Sequence, residues 1–148
     1  PEFSVDQKGS TYFTGGVSGG YGILPNDDKY FYYLLGFLNS SFSNWFIRKT
    51  STQMRGGFYS FESKYIKHIP VPIPTESQLK EINELVKGII STSKSIEANS
   101  SGADNTLLAR KRDRLKNAID EIVYGALSLN KSEQSIVKTA GELLSQVS

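Results

Sequence analysis

The side chains best suited to chemistry lie together in one basic, polar segment, residues 48–68. The candidate contact residues there are cationic, hydroxyl, amide or aromatic: Arg48, Lys49, Thr50, Ser51, Gln53, Arg55, Tyr59, Lys64 and Lys67. Five side chains of this segment are Lys or Arg, and Glu62 is its only acidic residue. Such a mixture is typical of a surface that meets the phosphates and base edges of a nucleic acid. The segment therefore predicts contact with double-stranded DNA.

Different side chains of this segment suit different parts of a duplex. Arg55 and Lys49 can donate to guanine, and Gln53 can pair with adenine through both groups of its amide, with about 1–3 kcal/mol of discrimination for each good contact. The other cations and the hydroxyl groups suit phosphate, which positions a protein without specifying sequence. Gly56 and Gly57 allow the backbone to approach the duplex closely.

A purely structural interpretation of the same residues also stands. Arg48 and Lys49 would then only favour the end of a helix, and Gln53 would be a solvated loop residue. Tyr59 could stack on a base, whereas tyrosines more often lie half-buried beside a core.

Charge is unevenly distributed along the chain. The net charge is only +2, and residues 75–148 hold ten basic and ten acidic side chains. A second basic run, residues 110–116, has five cations against Asp113. A basic stretch on a helix is usually a solvated face, so we interpret this run as surface, with phosphate contact or pairing to Glu81 or Glu84 as alternatives.

No catalytic, metal or cofactor site is predicted within the chain. There is no cysteine, and His68 is the single histidine, so zinc ligands are lacking. The phosphate-binding motif G-x-x-x-x-G-K-S/T is absent, and residues 15–20 do not fit G-x-G-x-x-G. The F-x-G-x-G and N-P-P-Y/F motifs that an amino-methyltransferase would need are also absent. The sequence predicts a binding module without enzymatic activity.

Bulk composition indicates a soluble protein. No uninterrupted apolar run approaches the ~20 residues that a membrane-spanning helix needs. The lack of cysteine and of a secretory pattern favours a cytoplasmic location. We therefore expect no membrane partner.

The first half of the chain predicts a small mixed domain. Glycine-separated, β-prone pieces such as Thr11–Thr14 and Tyr21–Leu24 favour short strands and turns. A helix is expected from near Asp28, with Gly36 and residues 39–41 dividing it or bending it. Residues 54–61 predict a strand or hairpin edge, and the alternating prolines of residues 68–74 predict a stiff connector.

The second half predicts helices. Thr75 and Gln78 form a capping box, and apolar residues from Leu79 to Ile96 recur at spacings of three, four and seven. A similar pattern runs from Leu108 to Ala126, so an antiparallel helical hairpin is expected, followed by a short helix over 130–147. The predicted fold class is α+β, with a recognition domain at residues 1–74 and a spacer-like helical hairpin at residues 75–148.

An ordered series of short motifs resembles a known family. They are residues 19–23 (GGYGI), 33–40 (YLLGFLNS), 50–59 (TSTQMRGGFY) and 69–72 (IPVP). In this order they resemble the TaqI-like C-terminal specificity domain, the target-recognition part of adenine-specific DNA methyltransferases and of fused restriction–modification enzymes. The similarity covers roughly residues 3–74 and, more weakly, residues 119–134, where Tyr124–Leu127 departs from the family pattern.

The resemblance implies that the chain is the C-terminal part of a longer protein. An N-terminal methyltransferase domain of that parent would bind S-adenosylmethionine and flip the target adenine, while this part recognises double-stranded DNA. A rival hypothesis makes the chain a protein-interaction module, whose coiled-coil-like helical hairpin forms a homodimer or docks a partner subunit. Steep loss of binding with salt would distinguish DNA recognition from helix pairing.

Overall fold

Helix is the main regular structure of this protein. The computed structural model describes residues 3–6, 9, 21–99 and 102–145. A 3-10 turn at Asp28–Tyr30 precedes the helices, whose bounds are α1 Phe31–Leu38, α2 Ser41–Thr50, α3 Ser63–Ile66, α4 Glu76–Ala98, α5 Gly102–Ala126 and α6 Lys131–Ser145.

The predicted α+β class is wrong. Within the described residues no strand forms, and their β pairing is one antiparallel bridge between Gln53 and Tyr59. Residues 21–24, expected as a strand, are irregular and exposed, and the strand expected at Thr11–Thr14 lies outside the described residues. β-prone side chains form a strand only where a neighbouring strand packs beside them, and local sequence does not reveal that neighbour.

The predicted division of the first helical stretch is confirmed. α1 ends at Leu38 and α2 begins at Ser41, so the break falls at Asn39 and Ser40 rather than at Gly36. The Ser43 N–H donates to Ser40 Oγ at 3.3 Å, which caps α2. The short polar side chains thus interrupt the helix because they satisfy free backbone N–H groups.

α4 and α5 form the predicted antiparallel hairpin. At its start the Thr75 N–H donates to Gln78 Oε1 at 2.9 Å and the Gln78 N–H donates to Thr75 Oγ1 at 3.2 Å, which confirms the capping box. Gly88 of α4 faces Leu115 of α5, whereas Gly36 of α1 adjoins both Ile82 and Ile119. Residue numbers therefore fall along α5 as they rise along α4.

One core draws on both sides of the boundary predicted at residue 74. Its buried apolar members are Tyr33, Phe37, Leu38, Phe42, Ile47, Ile69, Leu79, Ile82, Val86, Ile119, Val123, Tyr124 and Val137. α1 and α2 supply the members that precede the proline connector, and α4, α5 and α6 supply those that follow it. The division into residues 1–74 and 75–148 stays a prediction, since the core of the described residues is continuous across it.

A buried carboxylate joins α5 to α2. Asp120 accepts hydrogen bonds from the Ser41 N–H at 2.8 Å and from Ser41 Oγ at 2.5 Å. A carboxylate at a helix start satisfies a free N–H group and complements the positive end of the helix dipole. The contact thereby fixes where α2 begins relative to the hairpin.

The segment before α1 is held by a side chain rather than by a strand. The Phe3 N–H donates to Asn39 Oδ1, and Asn39 Nδ2 donates to the Phe3 carbonyl, each at 2.8 Å. The Phe3 ring meets Phe61 edge to face, with 6.2 Å between centroids. Asn39 thus secures residue 3 beside Phe61 of the basic segment.

Candidate nucleic-acid interface

The C-terminal end of α2 carries the first predicted contact residues. Buried Phe42 and Ile47 anchor this helix in the core, which leaves its last turn at the surface. Arg48 Nε donates to Asn44 Oδ1 at 3.1 Å, and the Arg48 guanidinium lies 5.1 Å from the Tyr59 ring centroid. Arg48 therefore connects α2 to the loop that follows it, partly as a cation–π contact.

That loop is a tight hairpin, residues 52–60. The Ser60 N–H donates to the Thr52 carbonyl at 3.1 Å, and the Met54 N–H donates to the Phe58 carbonyl at 2.6 Å. Gly56 and Gly57 have φ of 90° and 83°. Positive φ suits glycine because it has no Cβ, so the glycine pair permits the reversal at the tip.

The base of the hairpin is tied to α3. Thr52 Oγ1 and the Tyr65 hydroxyl share a hydrogen bond of 2.6 Å. This bond and, more weakly, the nearby Lys64 charge lower the pKa of Tyr65. Lys64 Nζ also lies 4.9 Å from the centre of the Tyr65 ring. The hairpin is therefore braced from α3 as well as from α2.

Glu62 moderates the charge of this surface. Ser60 Oγ donates to Glu62 Oε1 at 2.7 Å, and Lys64 Nζ lies 3.1 Å from Glu62 Oε2. The Ser60 hydrogen bond and the contact with Lys64 lower the pKa of Glu62. Lys64 is thus a partly neutralised cation, which weakens the prediction that it contacts phosphate.

The structure places the other predicted residues differently from one another. Lys49, Gln53, Arg55 and Lys67 are exposed. Thr50 Oγ1 donates to the Phe46 carbonyl at 2.8 Å, which confines that hydroxyl to the helix end.

Two further predicted residues are less accessible. Tyr59 is half-buried beneath Arg48, and Ser51 is half-buried with its Oγ lacking a hydrogen bond. The exposed residues are therefore better placed to contact DNA than Tyr59 and Ser51.

The end of α2 and α3 border a shared open depression. Thr50, Lys64, Tyr65 and His68 line it. Thr50 and Lys64, fourteen positions apart in sequence, thus border the same depression.

Sequence reasoning missed three features of this surface. Met54 and Phe58 are largely exposed at the tip of the hairpin, whereas the sequence predicted only a strand or hairpin edge over residues 54–61. The Asn44–Arg48 contact follows the i, i+4 spacing of a helix and was detectable from that spacing. The Thr52–Tyr65 bond joins two elements and had no local signal.

The second basic run lies on α5. Arg110, Lys111 and Arg114 are exposed there, while Arg112 is half-buried. On α4, Glu84 pairs with Lys87 at 3.0 Å. This placement agrees with a solvated helix face.

The described ranges contain neither a metal-binding cluster nor a membrane-spanning helix. Among those residues no cluster of three or more His, Asp or Glu side chains could hold a metal ion. In the same part of the chain, no helix combines the length and apolar character required to cross a bilayer.

A known protein resembles most of this chain. The type II methyltransferase M.MjaIV of Methanocaldococcus jannaschii is 30% identical to it over 110 residues, which amount to 74% of this chain and 32% of that protein. The chain thus spans about a third of the length of that relative. The chain is therefore similar to part of a type II methyltransferase. No protein-family model and no solved structure matches the chain.

Proposed function

We propose that this chain is the DNA-recognition part of a larger protein related to type II methyltransferases. The observation that carries the proposal is the braced hairpin at residues 52–60, which presents Gln53 and Arg55 to solvent beside the exposed Lys49. Similarity to M.MjaIV over part of that protein's length supports the restriction–modification context. The motif resemblance to TaqI-like specificity domains supports target recognition as the role within it.

In this proposal the chain binds duplex DNA and does not transfer a methyl group. S-adenosylmethionine and the target adenine would occupy the N-terminal methyltransferase domain of the parent protein, because the motifs that hold them are absent from this sequence. Arg55 and Gln53 would meet base edges, whereas Lys49 and Lys67 would meet phosphates.

The helical hairpin supports a spacer role better than a docking role. The alternative function required its apolar seam to meet a partner or a second copy of the chain. Ile82 and Val86 of that seam instead pack against Gly36 of α1, and both side chains are buried. The face that the alternative would use is therefore covered within the chain itself.

Anisotropy titration of a randomised duplex pool at several salt concentrations tests the proposal. Loss of a phosphate contact in Lys49→Ala should weaken binding to all sequences and reduce the slope of log K against log salt by about 1. Arg55→Ala should also relax sequence preference among retained duplexes. Lys111→Ala, which removes an exposed cation of α5, is the matched control and should bind like the wild type.

Absence of salt-sensitive binding by the wild-type chain at low salt would overturn the proposal. Equal weakening by Lys111→Ala and Lys49→Ala would show that net charge, rather than the hairpin surface, accounts for binding.

A further inference from the structure

Two large apolar side chains are exposed at the tip of the hairpin. Phe58 has 73% of its surface accessible and Met54 has 53%. The Met54 N–H donates to the Phe58 carbonyl, so the two residues lie opposite each other across the hairpin. Opposed residues of an antiparallel pair project their side chains from the same face. Phe58 and Met54 therefore form one apolar edge.

The Phe58 ring has a defined position on this edge. A Cβ added to Gly56 would lie 3.3 Å from Phe58 Cε2, so the ring rests against the Gly56 backbone. Below it, the Thr52–Tyr65 bond and the Arg48–Tyr59 contact hold the arms of the hairpin. An exposed aromatic ring on a braced support loses little conformational freedom when it binds a partner.

The charge around the edge indicates what that partner is. Exposed Arg55 is next to it in the turn, and the acidic residue of the segment, Glu62, is already paired with Lys64. A free cation beside an exposed apolar ring complements the phosphates that border stacked bases. A protein partner that offered apolar surface alone would leave Arg55 uncompensated.

We infer that Phe58, with Met54 beside it, is an apolar wedge that enters the base stack of duplex DNA. The inference rests on the proposed function. To the contacts that read the sequence of the duplex, it adds one contact that distorts the duplex. Inserting such a side chain costs a few kcal/mol of unstacking per base step. The cost falls where the stack already has a gap, so wedge insertion favours a duplex with one missing base.

The experiment compares two duplexes of identical sequence, one intact and one with a single central abasic site. Anisotropy titrations with all 148 residues of the chain yield a Kd for each duplex. The wild type should bind the abasic duplex roughly tenfold more tightly, in the range that base–aromatic stacking supports. Phe58→Ala should lose this preference, while Phe58→Trp, which keeps a stacking ring, should retain it.

Matched controls separate the wedge from general binding. Lys49→Ala should weaken binding to both duplexes equally and leave their ratio unchanged. Leu107→Ala removes an apolar side chain of α5 that is 65% exposed, and it should bind both duplexes like the wild type. Circular dichroism of each variant confirms that helix content is preserved.

Three other results would contradict the wedge, and each has a different consequence for the proposed function. Salt-sensitive binding with the same ratio in wild type and Phe58→Ala would overturn the wedge and leave the proposed function intact. No DNA binding by the wild type would overturn both. A change in self-association on Phe58→Ala, with an unchanged ratio, would assign the apolar edge to a second copy of the chain instead.

Discussion

Gly36, at the scale of single residues, sets how closely α1 approaches α4. A Cβ at this position would lie 2.9 Å from both Ile82 Cγ2 and Val86 Cγ2. Both atoms belong to β-branched side chains, which have little rotamer freedom in a helix. We predict that Gly36→Ala lowers the free energy of unfolding by about 1–2 kcal/mol, because overpacking outweighs the gain in helix propensity.

Gly125→Ala is the matched control for this change. Gly125 is also helical, but a Cβ there meets nothing within 4 Å. Urea unfolding should show no loss of stability for Gly125→Ala and a lower midpoint for Gly36→Ala. Equal midpoints for the two variants would show that α1 can move away from α4 at no cost.

Two buried tyrosines differ in one hydrogen bond. The Tyr33 hydroxyl donates to the Pro72 carbonyl at 2.8 Å and so holds the proline connector on α1. The Tyr124 hydroxyl lies near Ser41 but makes no hydrogen bond of acceptable geometry. At pH 8 we predict that Tyr33→Phe costs about 1 kcal/mol of stability, whereas Tyr124→Phe is close to neutral.

The same tyrosines predict loss of stability in alkali. Burial raises the pKa of Tyr33 to about 12, and burial together with the Asp120 charge raises the pKa of Tyr124 to about 12. An unfolded chain ionises its tyrosines near pH 10. Because the folded protein holds the proton more tightly, stability is present below pH 10 and is lost as pH rises toward 12.

Measuring the free energy of unfolding at pH 8 and pH 11 tests whether stability is lost in alkali as predicted. Phenylalanine cannot ionise, so the stability deficit of Tyr33→Phe relative to the wild type should shrink or reverse at pH 11. A deficit that stays constant between the two pH values would refute a raised pKa for Tyr33.

For single residues of the candidate site, the sequence predicted the chemical character but not the exposure or the pairing of side chains. Charge and hydroxyl content located the basic segment, whereas for residues 54–61 the sequence predicted a strand or hairpin edge and did not place the turn at Gly56 and Gly57. The exposure of a side chain could not be predicted from its residue type, since Phe58 is exposed whereas Phe42 is buried. The pairing of Lys64 with Glu62 likewise could not be predicted, because it depends on the path of the backbone into α3.

At the scale of elements, Asp120 is the contact that orients α2 against α5. Two hydrogen bonds from Ser41 reach its carboxylate, and the side chain is 9% exposed. We predict that Asp120→Ala destabilises the protein by about 1–3 kcal/mol, because it leaves the half-buried Ser41 groups without their hydrogen-bond acceptor. Asp120→Asn should be milder, since an amide can accept from the N–H and donate to Ser41 Oγ.

The pH dependence of this contact has a definite sign. Burial raises the pKa of Asp120, while the Ser41 hydrogen bonds oppose that rise. The folded protein therefore binds this proton more tightly than the unfolded chain does, and the stabilisation that comes from the bound proton is lost as pH rises through the raised pKa of Asp120. Asp120→Asn does not titrate, so its stability relative to the wild type should increase from pH 4 to pH 7. A relative decrease would mean that the hydrogen bonds outweigh burial.

Helices were predictable because their signals are local. The capping box at Thr75 and the apolar spacing of α4 and α5 depend on residues within a few turns of each other. The fold class was wrong because strands depend on distant partners, and in this chain Asn39 rather than a strand holds Phe3. The link between Asp120 and Ser41 spans 79 positions and had no sequence signal.

At the scale of the whole molecule, the shared core predicts a single unfolding transition. Phe37 and Ile47 precede the connector, Ile82 and Val123 follow it, and all four are members of one buried cluster. Separating the two halves would expose that apolar surface on each of them, at about 25 cal/mol per Å². The stability of each half therefore depends on the other.

Two spectroscopic probes can follow the halves separately in one urea titration. Trp45 is the single tryptophan and reports on α2, while far-UV circular dichroism is dominated by the long helices α4, α5 and α6. We expect the two curves to coincide in midpoint and slope, as two-state unfolding requires. An earlier Trp45 transition would instead show that residues 1–74 unfold independently, and would support the predicted boundary at residue 74. The Gly36→Ala variant sharpens the comparison, because loosening α1 from α4 should lower both midpoints together only if the halves are coupled.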